Sequence, residues 1–389
     1  MKIKSTKTAL VAMAAAAVLT VAACGSSGGG AQQTGQGIAP DITVEAVNDQ
    51  TGPVAYAGVG ASKGAQLAIE QINEQDYLGN GAKISLEQVD TAGEIDRAVS
   101  EMTKAMANQK VSAILGPTMA QQAAAVAPIV GQSKVPTVFT QSGANGVVIN
   151  DYTFRATAPM ESYYNIAAKW LANNNLKAAS VIYNATYPTF ANLGKTVFPK
   201  EAAANGIKID QSIEVQSTTQ DFTGQAQQIA QANPPAVVMM LIASQAVTFM
   251  KQLRQAGYTG QIVGTSVQGS GNAAPAGAAA NGLVYPVDFS VAMTGDTSTA
   301  FTKAFTEKYG AAPDAYAAEG YDALWWIARG IKASGDSSRE GIQKGLTQVA
   351  GEGFTGAMGP LTFDGNDMRV TGAMVKWDNG KESLVDSPA

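Results

Sequence analysis

From Ile42 onward, short apolar runs of β character alternate with stretches of helical periodicity, and this alternation constrains the fold more than any other feature of the chain. Parallel strands cannot be joined by tight hairpins, so such a series implies parallel sheets with helices packed on their faces. The spacing predicts strands at Ile42–Val47, Ile84–Val89, Ala113–Leu115 and Val135–Phe139, with helices at Ala61–Asn73, Ala98–Asn108 and Gln121–Val130 between them. A second series starts near Met160. Helices Glu161–Leu171, Phe190–Ala204, Phe222–Ala232 and Gln245–Gln255 alternate there with strands Ser180–Ile182, Ile207–Val215, Val237–Ile242 and Gln261–Gly264. A strand at Leu283–Val287 and three helices (Thr299–Lys308, Tyr321–Ala333, Arg339–Val349) follow. The chain then closes on a predicted two-stranded ending, Leu361–Phe363 and Thr371–Trp377, flanking the turn residues Asp364-Gly365-Asn366-Asp367. The predicted fold class is α/β: two Rossmann-like lobes, the later helices returning to the first, with a ligand cleft between them at the carboxyl ends of the strands.

Composition removes most alternatives. With 46% hydrophobic and 15% charged residues among 389, the chain can fill such cores and is too weakly charged to be disordered. The 26 basic residues against 31 acidic ones, a net charge of −5, argue against a nucleic-acid partner, which needs clustered cations. There is no histidine, so no Ser-His-Asp or Cys-His pair and no His-ligated zinc can be built. The single cysteine, Cys24, excludes an internal disulfide. The expectation is a protein that is not an enzyme and needs neither cofactor nor metal.

Cys24 has its own explanation. Lys2, Lys4 and Lys7 precede an apolar run from Ala9 to Ala23, too short for a bilayer core of ~30 Å but suited to a secretory signal. The run ends Val21-Ala22-Ala23-Cys24, which resembles a bacterial lipobox, an aliphatic and two small residues before an acylated cysteine. Residues 1–23 are thus expected to be a lipoprotein signal peptide and 24–40, rich in Gly, Ser and Gln, a flexible tether. Loss of 1–23 removes three lysines and no acid, taking the net charge from −5 to −8. The expected location is the outer face of the cytoplasmic membrane, held through the lipid on Cys24.

Several motifs invite sharper readings. Gly58-Val59-Gly60-Ala61-Ser62-Lys63-Gly64 follows a strand, but its third glycine is one residue late for a dinucleotide fingerprint, and this stretch holds no Gly-Lys-Ser/Thr triplet to make a P-loop. Gly52–Gly64 therefore reads as a flexible turn whose amides line a cleft. Asp90, Glu161 and Glu319 are candidates for paired-carboxylate chemistry, yet no spacing selects a pair. Of Trp325 and Trp326, one at least is core.

Nine segments, in order, resemble the leucine/isoleucine/valine-binding family of ABC-importer binding proteins. They are Thr51-Gly52-Pro53-Val54-Ala55-Tyr56, Gly64-Ala65-Gln66-Leu67-Ala68-Ile69, Asp90-Thr91-Ala92, Ile114-Leu115-Gly116-Pro117 and Val126-Ala127-Pro128, then Phe154-Arg155-Ala156, Leu253-Arg254-Gln255-Ala256-Gly257, Glu319-Gly320-Tyr321-Asp322-Ala323 and Met358-Gly359-Pro360-Leu361-Thr362-Phe363-Asp364. The resemblance spans 41 to about 380. It implies the type I periplasmic-binding-protein fold, two lobes joined by three hinge crossings, with 41–159 plus 288–372 in one lobe and 160–287 plus 373–389 in the other.

The resemblance also implies ligand contacts, and here the chain departs from the pattern. The Ser expected to hold the ligand carboxylate at a helix N-terminus falls on Ala120, followed by Gln121 and Gln122. In Thr140-Gln141-Ser142-Gly143-Ala144, Ser142 and Gly143 remain, but the expected Thr is Ala144. Ser266 stands where an acid usually pairs with the ammonium, and Ile242 or Ala243 replaces a strand-end aromatic. Tyr56, Tyr187 and Tyr316 match cleft aromatics, and Glu319 is the acid that could substitute for the missing one. The resemblance implies an ABC permease and ATPase as partners, and a small ligand, an amino acid or a related polar compound. Because three expected polar groups are gone, plain leucine, isoleucine and valine are expected to bind weakly, above about 10 μM. Alternatives are a receptor of the same fold for amides, urea or aromatic acids, and an extracellular hydrolase.

Overall fold

The structure, a computed structural model, describes residues 37–269 and 271–386. The apolar leader, Cys24 and residues 24–36 of the expected tether lie outside them. In the first sheet β1 (Asp41–Asn48), β2 (Lys83–Asp90), β3 (Val111–Leu115), β4 (Thr137–Phe139) and β5 (Thr153–Arg155) run parallel in the order 2-1-3-4-5. They are linked by α1 (Ala55–Glu74), α2 (Ile95–Ala107) and α3 (Ala120–Ser133). The chain then crosses to a second parallel series. This comprises α4 (Met160–Asn173), β6 (Ala178–Asn184), α5 (Pro188–Asn192), a π-helical turn at Leu193–Val197, α6 (Phe198–Ala204), β7 (Lys208–Val215), α7 (Thr223–Ala232), β8 (Ala236–Met240), α8 (Ala243–Gln255), β9 (Gln261–Val263) and β10 (Leu283–Val287).

A second crossing returns to the first sheet through α9 (Asp296–Tyr309), α10 (Ala315–Ser334), α11 (Arg339–Glu352), β11 (Phe354–Gly356), β12 (Gly359–Asp364) and β13 (Asp367–Val370). A third crossing adds β14 (Ala373–Asp378) and β15 (Lys381–Asp386) antiparallel to the edge of the second sheet at β10. The fold is that of two α/β lobes with three crossings. No helix among the described residues is long and apolar enough to cross a membrane.

Each sheet buries both faces, as parallel sheets must. Ile42, Val44 and Ala46 of β1 pack under α1, α10 and α11, while Val47 meets Val126 and Val130 of α3 and Met102 of α2 on the other side. In the second lobe, Val237 and Met239 of β8 face α7 and α8, and Val238 and Met240 face α4 and α6. Trp326 is fully buried and donates its indole N–H to Leu346 O at 3.0 Å, whereas Trp325 is half-buried with its ring edge-on to Tyr77.

Three expectations need correction. Gly52–Gly64 is not a flexible turn: α1 begins at Ala55 and runs through all three glycines. Their role is close approach. A Cβ on Gly64 would lie 1.8 Å from Ala317 O, and one on Gly320 2.1 Å from Ala61 O, so α1 and α10 cross backbone to backbone. The two-stranded ending is also wrong. Leu361 pairs with Val370 across the Gly365-Asn366 turn, while the strand over 371–377 belongs to the other sheet, reached through Gly372 at φ +69°. Finally, residues 37–39 of the expected tether are docked: Ala39 N–H donates to Ser337 Oγ at 2.8 Å and Gly37 O accepts from Ser337 N.

Candidate functional site

Strand ends of both sheets converge on one cleft, of about 990 Å³ counted to its open mouth, a size suited to a small molecule. The turn after β1 leads into α1 and delivers Tyr56. The turn after β3 delivers Met119, Ala120 and Gln121 at the start of α3, and the segment after β4 supplies Gln141 and Gly143. From the second lobe come Tyr187 and Phe190 at the start of α5, Ile242 capping α8, and Ser266 after β9. Asp288, immediately after β10, and Thr157, after β5, sit where the chain crosses between the sheets.

Of the ten residues expected to bind ligand, Tyr56, Ala120, Gln121, Gly143, Tyr187, Ser266, Tyr316 and Glu319 line this cleft. Ser142 and Ala144 do not. The Ser142 hydroxyl is fully buried and reaches Pro117 O and Thr118 O, at 3.2 and 3.3 Å. The Ala144 carbonyl accepts from Arg155 Nη1 at 2.6 Å, which turns that residue away to a side recess bordered by Asn145 and Pro188. Arg155 is responsible for both: it forks onto Asp367 at 2.6 Å through Nε and Nη2, and ties down the carbonyls of Ser142 and Ala144 with Nη1.

The carboxylate end of a ligand has places to go. At Ala120 and Gln121 the first-turn N–H groups of α3 have no intrahelical acceptor, and the first turn of α8 behind Ile242 offers the same positive end. The walls are aromatic. The Tyr56 and Tyr316 rings lie 5.5 Å apart, and the Tyr187 ring stands edge-on to Phe190 at 6.1 Å. Burial, reinforced by nearby Tyr187, pushes the Tyr56 phenol up to about 12, so it stays a neutral donor.

The cleft also holds two acids that touch. Glu319, one turn along α10 from Tyr316, is 4% exposed, and Asp288 is 1% exposed. Tyr163 of α4 donates to Asp288 Oδ2 at 2.9 Å, and the Thr157 hydroxyl donates to Glu319 Oε1. Glu319 Oε2 receives no well-formed hydrogen bond from a protein donor; the Asp288 carboxyl and Gln141 face it. Burial first, then the Asp288 charge, pushes Glu319 well above the carboxylate range. Burial raises Asp288 too, against the hydrogen bonds from Glu319 and Tyr163. Two carboxyls can lie together in such a place only with a proton between them, and Glu319 is the better holder. No lysine or arginine lines the cleft.

Asp288, Tyr163, Gln141 and Thr157 were not legible in the sequence. Asp288 merely ends a strand, and its partner Glu319 lies on a helix two elements later. Of the other two candidate carboxylates, Asp90 orders a turn. Burial would raise its pKa, but hydrogen bonds from Thr51, Ala92 and Gln50 outweigh that and hold it at about 2. Glu161 bridges Asn145 and Asn192.

Residues 41–381 match the periplasmic binding protein family. The Leu/Ile/Val-binding protein homolog 7 of Brucella abortus is 23% identical over 366 residues, covering 88% of this chain and 90% of that protein. A leucine-binding protein LivK from Thermotoga maritima superposes with a TM-score of 0.80 at 24% identity, over 89% of this chain and 98% of the other. A solute-binding protein of an ABC transporter from R. palustris, solved with benzoate, gives 0.78 at 21% identity, over 89% and 95%. Two lobes, three crossings and a cleft at the carboxyl ends of both sheets agree with these matches, and the chain belongs to the periplasmic binding protein family.

Proposed function

We propose that this protein is the solute-binding component of an ABC importer, anchored outside the cytoplasmic membrane through Cys24, which captures a small organic acid, an amino acid or an aromatic acid, and presents it to a permease. The observation that carries the reading is the cleft itself. It is small-molecule sized, walled by Tyr56, Tyr187, Tyr316 and Phe190, and fed by the positive ends of α3 and α8. Its two acids touch, whereas a carboxylate pair that hydrolyses a glycoside stands about 5 Å or more apart to flank the bond, which weighs against the hydrolase alternative. Cargo held between the lobes stabilises the closed form only through its contacts to the second lobe, so closing is coupled to loading. An aromatic-acid cargo is the second reading, favoured by the four rings and by the benzoate in the R. palustris relative.

A melting screen against the twenty amino acids, short amides, urea and benzoates tests this. A cargo at 100 times its Kd adds ~2.7 kcal/mol and raises the melting temperature by several degrees. Hits should also shrink the radius of gyration in X-ray scattering. Silence across the whole panel, or an unchanged radius with saturating hits, counts against a closing solute receptor.

A further inference from the structure

We propose that Asp288 and Glu319 together form the seat for a protonated nitrogen on the cargo, a primary or secondary ammonium, and that the cargo binds by displacing the proton the two carboxyls otherwise share. This rests on the cleft being the cargo site and adds what the cargo must carry. Glu319 Oε2 is a buried acceptor without a well-formed donor, on a residue that lines the cavity. Every group around the pair is neutral or acidic. Tyr163 on α4, Thr157 after β5 and Gln141 after β4 are neutral, as are the ring hydroxyls of Tyr316 and Tyr56. Farther off, Asp314 caps α10 with Lys63 near it, and Asp322, one turn beyond Glu319, has Arg329 near it. Neither cation acts on the Asp288–Glu319 pair; a buried pair of acids without one is short of a positive charge, and an ammonium supplies both that charge and the donors.

A quaternary ammonium would satisfy the charge but not Oε2, so N–H donors are required. The proton is accounted for: the pair begins with one proton and one negative charge. It ends with none and two, balanced by the ammonium, and the proton leaves to solvent. The seat also differs from the position expected by resemblance, because Ser266 in the second lobe carries no charge. Here the cation is held by Glu319 of α10 and by Asp288 at the crossing, which Tyr163 of α4 also bonds.

Titration calorimetry decides it, with phenylalanine, leucine, phenethylamine and isopentylamine against their amine-free counterparts 3-phenylpropanoate and 4-methylpentanoate. Runs at pH 6, 7 and 8 in phosphate and in MOPS, whose amine is tertiary, measure proton release. Amine-bearing compounds should bind about 100-fold tighter than their counterparts, release close to one proton near pH 6, and tighten by up to about tenfold per pH unit over that range. Asp288→Asn and Glu319→Gln should each erase the preference for the amine-bearing compounds and the proton release. Equal binding of the amine-free acids, or binding without proton release and flat with pH, overturns the seat while leaving the receptor reading intact. No heat from any compound overturns both.

Discussion

Arg155 illustrates how much one side chain decides. It is 3% exposed, and its guanidinium forks onto Asp367 across the β5–β13 junction while also holding the carbonyls of Ser142 and Ala144. Bidentate pairs of this kind combine charge with fixed geometry. Arg155→Met leaves Asp367 without its main partner, although Arg369 Nη1 still lies 2.8 Å from it. Urea unfolding should show a loss of roughly 3–5 kcal/mol, the usual cost of breaking a buried pair from one side. A loss below 1 kcal/mol means that Arg369 replaces it.

At the scale of elements, the crossing of α1 and α10 sets the site. Tyr56 rides on the first and Tyr316 and Glu319 on the second, so their spacing is fixed by how closely the helices approach. Small residues at the crossing make that approach backbone to backbone. Gly64→Ala would drive a Cβ to 1.8 Å from Ala317 O, and nothing flexible there can yield. The expected cost is roughly 1–3 kcal/mol by chemical denaturation, with cargo affinity falling in step. Gly224→Ala on α7 is the control: no atom lies within 4 Å of its added Cβ, and a slight gain of ~0.5–1 kcal/mol is expected. If both substitutions behave alike, the close crossing is not what the glycine supplies.

For the molecule as a whole, the described chain starts beside Ser337, just past the C-terminal end of α10, while the cleft lies at that helix's N-terminal end. A 20-residue helix separates the two by ~30 Å. Cys24→Ser should release the protein into the soluble fraction without altering cargo affinity, measured by fractionation and by calorimetry. Retention on membranes at the wild-type level places the anchor elsewhere.

The expectation that leucine, isoleucine and valine bind weakly rests on three lost polar groups, at Ala120, Ala144 and Ser266, the last of them the ammonium partner. Asp288 and Glu319 answer the last of these losses, since two acids line the cavity, and leave the other two standing. The period of apolar residues was enough to reveal two α/β series and the returning helices, because secondary structure and its burial are written locally in the spacing of side chains. Glu319 was visible as an acid without a partner. Its pairing with Asp288 was not, since a strand end and a helix face separated by a crossing meet only when the lobes assemble. The same holds for α1: local propensity reads three glycines as a turn, and only the backbone of α10 pressing against them makes a helix there the better structure. β14 likewise joined the second sheet through its distant partner β10, a pairing no local pattern specifies. Sequence determined most of the strands and helices; packing at long range decided where α1 begins and which acids, rings and amides share the cleft.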